Sequence, residues 1–200
     1  MKQKRWLFIL AAVLLLACDA DEKYSTRYLC NFVFITDYAP NCALTRSLDN
    51  GGMFVIVKPS AKEGVVHLML TPNTGTWQES ETDVVMSTAI ANEKLSYQDM
   101  GARKGLIIGC CNVPDLSGNR LKAYDAQCPN CLEDDDTKSY PLTFDDDKTQ
   151  PGVTCAKCHR IYLLESEGMS MSGKKDTPLY QYRISYSANY KNEHVLRVQN

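Results

Sequence analysis

Two pairs of cysteines are the residues of this sequence best suited to chemistry. Cys128 and Cys131 form one CxxC motif, Cys155 and Cys158 form a second, and 23 residues separate the two motifs. Two thiolates three positions apart on a tight turn can face one ion, and a second such turn completes a tetrahedral set suited to zinc or iron. A single CxxC is also typical of redox disulfides. Two motifs at this spacing favour a metal site, with a pair of disulfides as the alternative.

Other cysteines and histidines give weaker indications. His159 directly follows Cys158. It is a candidate to donate a hydrogen bond to a ligand, to replace a ligand, or simply to face solvent. Cys30 and Cys42 are separated by eleven residues and could form a disulfide that closes a hairpin.

The sequence offers no catalytic constellation. It has three histidines and no GxSxG, HExxH or glycine-rich phosphate-binding motif. We therefore expect no enzymatic activity of its own. The 22 basic and 24 acidic residues give a formal net charge of −2. This balance argues against nucleic acid as a partner, because phosphate binding needs a basic face.

The N-terminus has the pattern of a secretory signal peptide over residues 1–17. Basic residues precede Trp6–Ala17, an apolar run that is too short to span a bilayer but suits a signal-peptide core. The run ends in Leu15-Leu16-Ala17-Cys18, which resembles the lipobox of bacterial lipoproteins. The resemblance implies that Cys18 carries a diacylglycerol and is labelled by palmitate. A lipidated tether over 18–27 would then precede a folded domain over 28–200.

Such a protein would reside in the cell envelope. Asp19, Asp21 and Glu22 follow the anchor and resemble signals for outer-membrane retention or surface export in some Gram-negative lineages. A solvated tether is the alternative reading of these acids, and a plain secretory signal is the alternative to the anchor at Cys18. In each case the domain folds outside the cytoplasm, facing the periplasm or the cell surface, where unliganded thiols tend to oxidise.

The domain is predicted to be all-β. Nine short runs are rich in β-branched and aromatic residues and are bounded by turn signals. They are Leu29–Thr36, Met53–Lys58, Val65–Leu70, Leu106–Asn112, Leu121–Asp125, Tyr140–Phe144, Ile161–Glu165, Leu179–Tyr186 and His194–Gln199. Nine strands at this spacing predict an antiparallel sandwich or barrel. Helix is expected only near Ala43–Leu48 and in part of Asp83–Lys94.

The residues around the two CxxC motifs resemble a Rieske domain. Gly118–Pro129 is similar to the strand that enters the first cluster loop, and Gly152–Leu164 is similar to the second loop and its exit strand. The similarity is to the small ferredoxin subunits of nitrite reductases and ring-hydroxylating dioxygenases. It implies a Rieske-like sandwich with two metal-binding knuckle loops, with a core over 105–200 and an N-terminal extension over 28–104.

The candidate ligands depart from the Rieske pattern. A Rieske [2Fe–2S] centre uses CxH and CxxH motifs, so that two His replace two Cys on one iron. Cys128 and Cys155 occupy the two Cys positions, Asn130 and Cys158 occupy the two His positions, and Cys131 supplies a fourth thiolate. The resemblance therefore implies a Rieske scaffold with all-cysteine ligation.

Three functions are open for such a domain. The first expectation is a non-enzymatic lipoprotein in which the four cysteines hold a structural zinc or another mononuclear metal. The second is electron transfer through a Cys-ligated [2Fe–2S] cluster, and the third is a metal-free, disulfide-stapled binding module. Besides the membrane, a redox or protein partner would dock at the tip that carries the loops. The acidic runs Glu133–Asp136 and Asp145–Asp147 suit a basic partner there.

Overall fold

Strands dominate the fold, which confirms the prediction of an all-β protein. The computed structural model describes residues 23–73, 82–145, 150–172 and 176–200. Its strands are β1 (Cys30–Ile35), β2 (Phe54–Lys62), β3 (Val65–Pro72), β4 (Thr82–Val85), β5 (Asp99–Met100), β6 (Leu106–Cys110), β7 (Leu121–Asp125), β8 (Leu142–Phe144), β9 (Gly152–Cys155), β10 (Ile161–Leu163), β11 (Met169–Ser170), β12 (Gln181–Ala188) and β13 (His194–Gln199). The helices are α1 (Ala43–Ser47), α2 (Pro129–Asp134) and a 3-10 turn over Thr36–Tyr38. Within the described ranges, no helix is long and apolar enough to cross a membrane.

One large antiparallel sheet contains nine of these strands. Their order is β4-β3-β2-β6-β7-β12-β13-β1-β5. Strands β1 and β2, from 28–104, pair with β13 and β6, from 105–200, within the same sheet. The other four strands form a small antiparallel sheet in the order β11-β10-β9-β8.

The segment Asp83–Lys94 differs from its prediction. The sequence predicts that part of it is helical, whereas the chain is extended through β4, which pairs with β3, and then continues through turns. Val84 and Val85 are adjacent β-branched residues, which lose side-chain freedom in a helix and fit a pleated strand. The edge of β3 gives this stretch a pairing partner that the sequence pattern does not show.

Alternate residues of the large sheet form the main hydrophobic core. Val57 and Leu70, from one half of the strand order, belong to the same buried cluster as Phe34 and Leu196, from the other half. Helix α1 packs on β2, β3 and β6. Residues 86–98 connect the two edge strands and add further apolar side chains to this cluster. The sheet therefore curls around a single core.

The small sheet is an insertion between two neighbouring strands of the large one. Strands β7 and β12 pair directly, yet residues 126–180 lie between them in sequence and contain α2 and β8–β11. The small sheet packs on the other face of β2, β6 and β7 through a second buried cluster, which includes Phe54, Ile56, Ile107, Tyr124, Leu142, Val153 and Tyr162. Both CxxC motifs lie in this insertion.

Asp125 fastens the start of the insertion to the large sheet. Its buried carboxylate accepts hydrogen bonds from the backbone N–H groups of Ala102 (2.7 Å) and Gln127 (2.9 Å) and from the hydroxyl of Tyr182 (2.9 Å). Burial raises the pKa of Asp125 to about 6, and these hydrogen bonds offset burial only in part. The folded protein therefore holds this proton more tightly than the unfolded chain does.

We expect this carboxyl to make stability depend on pH. Its folded pKa of about 6 lies above its ordinary value of 3.8, so its contribution to the unfolding free energy falls as pH rises from about 4 to about 6, by about 3 kcal/mol. The measurement is denaturant unfolding of the wild type and of Asp125→Asn at matched pH. Acid also protonates cysteines in both proteins, so the difference between them isolates Asp125. If the difference in unfolding free energy between the two proteins stayed constant from about pH 4 to about pH 6, the raised pKa of Asp125 would be wrong.

Candidate metal centre

The four cysteines of the two motifs are placed by two short turns of the insertion. Cys128 precedes α2 and stands at its N-cap, with Pro129 at the first helical position, where a missing N–H costs nothing. Cys131 lies one turn along this helix, which directs its side chain to the same side as Cys128. Cys155 ends β9, and Cys158 lies in the turn that leads to β10.

The sulfur atoms converge on one point. The Sγ atoms of Cys128 and Cys158 are 3.6 Å apart, and those of Cys131 and Cys155 are 3.8 Å apart. All four sulfurs lie within 4.8 Å of one another. None of the eight described cysteines is in a disulfide, and these separations far exceed the ~2.05 Å of an S–S bond.

These separations match one tetrahedron better than a two-iron cluster. Four thiolates at about 2.3 Å from a single ion are about 3.8 Å apart. In a [2Fe–2S] cluster the two iron tetrahedra share an edge, which places the cysteine sulfurs of one iron more than about 5 Å from those of the other. Every sulfur pair here is closer than that. The four cysteines are thus close enough together to hold a metal ion.

A tyrosine and an asparagine support the Cys128 sulfur. The Asn130 side-chain N–H donates to the Tyr162 hydroxyl oxygen (2.9 Å), and the Tyr162 oxygen lies 3.2 Å from the Cys128 sulfur. Because the tyrosine oxygen accepts from Asn130, its own proton is free to point at the sulfur. The backbone N–H of Cys131 also donates to the Cys128 sulfur. Asn130 is fixed in turn by Thr177, whose backbone both donates to and accepts from its amide.

Arg160 supports the Cys158 sulfur from the other side. Both its guanidinium and its backbone N–H donate to this sulfur, and its Nε lies 3.1 Å from an Asp176 carboxylate oxygen. His159 stands between the two residues with a φ of 58°, a left-handed conformation that non-glycine residues seldom adopt. The histidine side chain is exposed and is not among the converging groups. What His159 supplies here is a backbone turn, and its role as a donor to a ligand stays a prediction.

The surroundings shift the pKa values of three of the four thiols. Burial raises the pKa of the Cys128 thiol to about 11 and also raises that of Cys131. Burial acts in the same direction on Cys158, but the hydrogen bonds from Arg160 outweigh it and lower this pKa to about 7. The Cys128 and Cys131 thiols are therefore protonated at neutral pH until a metal ion displaces their protons.

No protein-family model, curated protein or solved structure matches this chain. The assignment of the site therefore rests on its own geometry. The Rieske resemblance and the two loops it implies stay predictions, and so does the lipid anchor, because Cys18 lies outside the described residues.

The possible disulfide between Cys30 and Cys42 is not formed in the structure. Strand β1 pairs with β13 and β5, so the chain makes no hairpin that would bring the two thiols together. The Cys30 thiol donates to the Val198 carbonyl (3.6 Å), and the Cys42 sulfur accepts from the Thr45 backbone N–H (3.4 Å) at the start of α1. Both are free, buried thiols with separate structural roles.

Removing the tyrosine hydroxyl tests the support of Cys128. We expect Tyr162→Phe to keep the fold, because the ring stays in its buried cluster. The variant should weaken metal binding by about 10- to 100-fold, since a ligand loses an oriented hydrogen bond. The measurement is competition with a chromophoric chelator, with Tyr140→Phe as the matched control because Tyr140 packs on the same cluster. Equal affinity of Tyr162→Phe and the wild type would show that the hydroxyl does not act on the metal.

Proposed function

We propose that this protein is an envelope lipoprotein whose inserted sheet is held together by one zinc ion bound to Cys128, Cys131, Cys155 and Cys158. The convergence of four thiol sulfurs within 4.8 Å carries this proposal. Four thiolates around one ion are the usual ligands of structural zinc, and they leave no open coordination position for a substrate. The function is accordingly structural and binding rather than enzymatic.

The small sheet needs such a link. Its strands are two to four residues long, shorter than the usual ~5–6 residues, so each strand pair contributes few backbone hydrogen bonds. The metal would join the α2 turn, at one end of the insertion, to the β9–β10 turn in its middle. Structural zinc sites supply folding free energy directly, since the unfolded chain has no preformed site.

The Rieske-like scaffold in this proposal rests on the sequence resemblance alone. Both ligand-bearing turns lie in the inserted segment 126–180 of the larger antiparallel sheet, where they would act as the two metal-binding knuckle loops. The signal-peptide pattern and Cys18 support a lipid anchor in the envelope, with the outer membrane as the proposed location. A protein partner would meet the exposed side of the ligand turns, near Cys158.

Metal analysis with a visible spectrum tests this proposal. The full-length protein would be purified anaerobically in detergent from cells supplied with both iron and zinc. We expect about one zinc per chain and no visible absorption, and the same preparation of Cys155→Ser should contain almost no zinc. Two irons per chain, with visible bands that bleach on reduction, would show that the site holds a [2Fe–2S] cluster instead of zinc. The protein would then be an electron carrier. An absence of free thiols after denaturation without reductant would reject any metal site.

A further inference from the structure

Two hairpin loops point toward the same end of the large sheet. Cys110 pairs with Leu121 where the β6–β7 hairpin closes, and Ala188 pairs with His194 where the β12–β13 hairpin closes. Strands β7 and β12 are antiparallel neighbours, so the start of β7 and the end of β12 point the same way. Loops 111–120 and 189–193 therefore share one end of the sheet, which we name the hairpin end.

The hairpin end exposes large apolar and aromatic side chains. Val113 is 72% exposed, Leu116 is fully exposed, and Tyr190 is 92% exposed. Single exposed apolar residues are ordinary on a protein surface. Three on two adjacent loops are less so, and their combination of aliphatic side chains with a tyrosine is the one that favours a membrane interface.

The N-terminal segment runs along β12 toward this same end. The Ser25 backbone N–H donates to the Gln181 carbonyl at the start of β12 (2.8 Å). Tyr24 stacks under the Arg183 guanidinium. Lys23 then reaches Asp115 (3.2 Å), which lies between Val113 and Leu116 in loop 111–120. The described chain thus begins beside the exposed loop.

We propose that the hairpin end rests on the lipid bilayer, with Val113, Leu116 and Tyr190 in the headgroup region. This inference rests on the proposed lipid anchor at Cys18. Cys18 and Lys23 are five positions apart, which limits the anchor to about 18 Å of extended chain from Lys23. The contacts of Lys23, Tyr24 and Ser25 hold the start of the domain against β12. Because the segment between Cys18 and Lys23 is short, it keeps loop 111–120 next to the membrane.

The same orientation turns the metal centre away from the membrane. Glu167 follows β10 and lies 3.0 Å from Lys122, close to loop 111–120. Cys158 precedes β10 and so lies at the opposite end of this strand. The ligand turns therefore face away from the bilayer, and a soluble partner can reach them without competing with lipid.

Tryptophan quenching by brominated lipid tests the orientation. The lipidated full chain would be reconstituted into phosphatidylcholine vesicles with and without brominated acyl chains. Its two tryptophans are Trp6, which signal cleavage removes, and Trp77, which would be changed by Trp77→Phe in every variant. Leu116→Trp places the probe at the hairpin end. Val65→Trp is the matched control, because Val65 is an exposed apolar residue that begins β3 at the opposite end of the sheet.

We expect brominated lipid to reduce the emission of the Leu116→Trp variant roughly twofold and to leave the Val65→Trp variant unchanged. Equal and negligible quenching of both, in protein that is palmitate-labelled and vesicle-bound, would overturn the orientation while leaving the anchor intact. A wild type without palmitate label would instead reject the anchor.

Discussion

Replacing Cys155 by serine should abolish metal binding and unfold the inserted sheet. Cys155 is buried where β9 ends and faces Cys131 at 3.8 Å, so its loss removes a ligand and breaks the link between the two turns. We expect the metal content to fall from about one per chain to nearly zero. The unfolding free energy should fall on the order of 5 kcal/mol, because binding energy at a structural zinc site is folding energy. Metal analysis and denaturant unfolding measure the two effects.

A cysteine outside the site provides the matched control. Cys42 is also buried and free, but its sulfur caps α1 through the Thr45 N–H, a role that serine fills well. Cys42→Ser should keep both the metal and most of the stability. If Cys155→Ser bound metal as tightly as Cys42→Ser, the four-cysteine site would be wrong.

Truncating Lys122 should cost about 3 kcal/mol of unfolding free energy, the usual effect of leaving a buried charge without its partner. The Lys122 ammonium is buried and lies 2.7 Å from Asp115 and 3.0 Å from Glu167. It thereby ties the β6–β7 loop to the inserted sheet. In Lys122→Ala, the largely buried Asp115 keeps its backbone hydrogen bonds, but Lys23, at 3.2 Å, is the one cation left beside it in the described part of the chain. Denaturant unfolding at neutral pH measures the loss.

The pH dependence identifies the cause of this loss. Hydrogen bonds from Lys122 and from the Asn119 backbone hold the pKa of Asp115 well below its ordinary value of 3.8. Its pairing therefore contributes stability above that pH, and the contribution is lost as pH falls further. The difference in unfolding free energy between the wild type and Lys122→Ala should become smaller on acidification. Lys191→Ala changes an exposed lysine and should unfold with the same free energy as the wild type. A difference in unfolding free energy that does not depend on pH would mean that Lys122→Ala acts through lost packing alone.

Local patterns were sufficient for most of the large sheet. The runs at Leu121–Asp125 and His194–Gln199 coincide with β7 and β13, because period-two burial and turn residues are written in the local sequence. The order of the strands cannot be predicted from local patterns, since β7 and β12 are neighbours although 55 residues lie between them in the sequence. Short strands such as β9 and β11 also escaped prediction, because they owe their form to pairing with β10 rather than to composition.

The ligands of the candidate site follow from the sequence, and their surroundings do not. The spacing of the two CxxC motifs predicts the grouping of four sulfurs that the structure shows. The hydroxyl of Tyr162 and the guanidinium of Arg160 reach these sulfurs through the pairing of β9 and β10. No motif marks either residue. His159 stood out because it is a histidine beside a cysteine, whereas what the structure uses there is its left-handed backbone.

X-ray absorption at the metal edge tests the central claim most directly. For the purified full-length protein, the account predicts a single shell of four sulfurs at about 2.3 Å from the metal, with no second metal nearby. The Cys155→Ser variant, prepared in parallel, should give no bound metal to measure. A metal–metal scattering path, or a shell containing nitrogen from His159, would contradict a mononuclear site made of four cysteines.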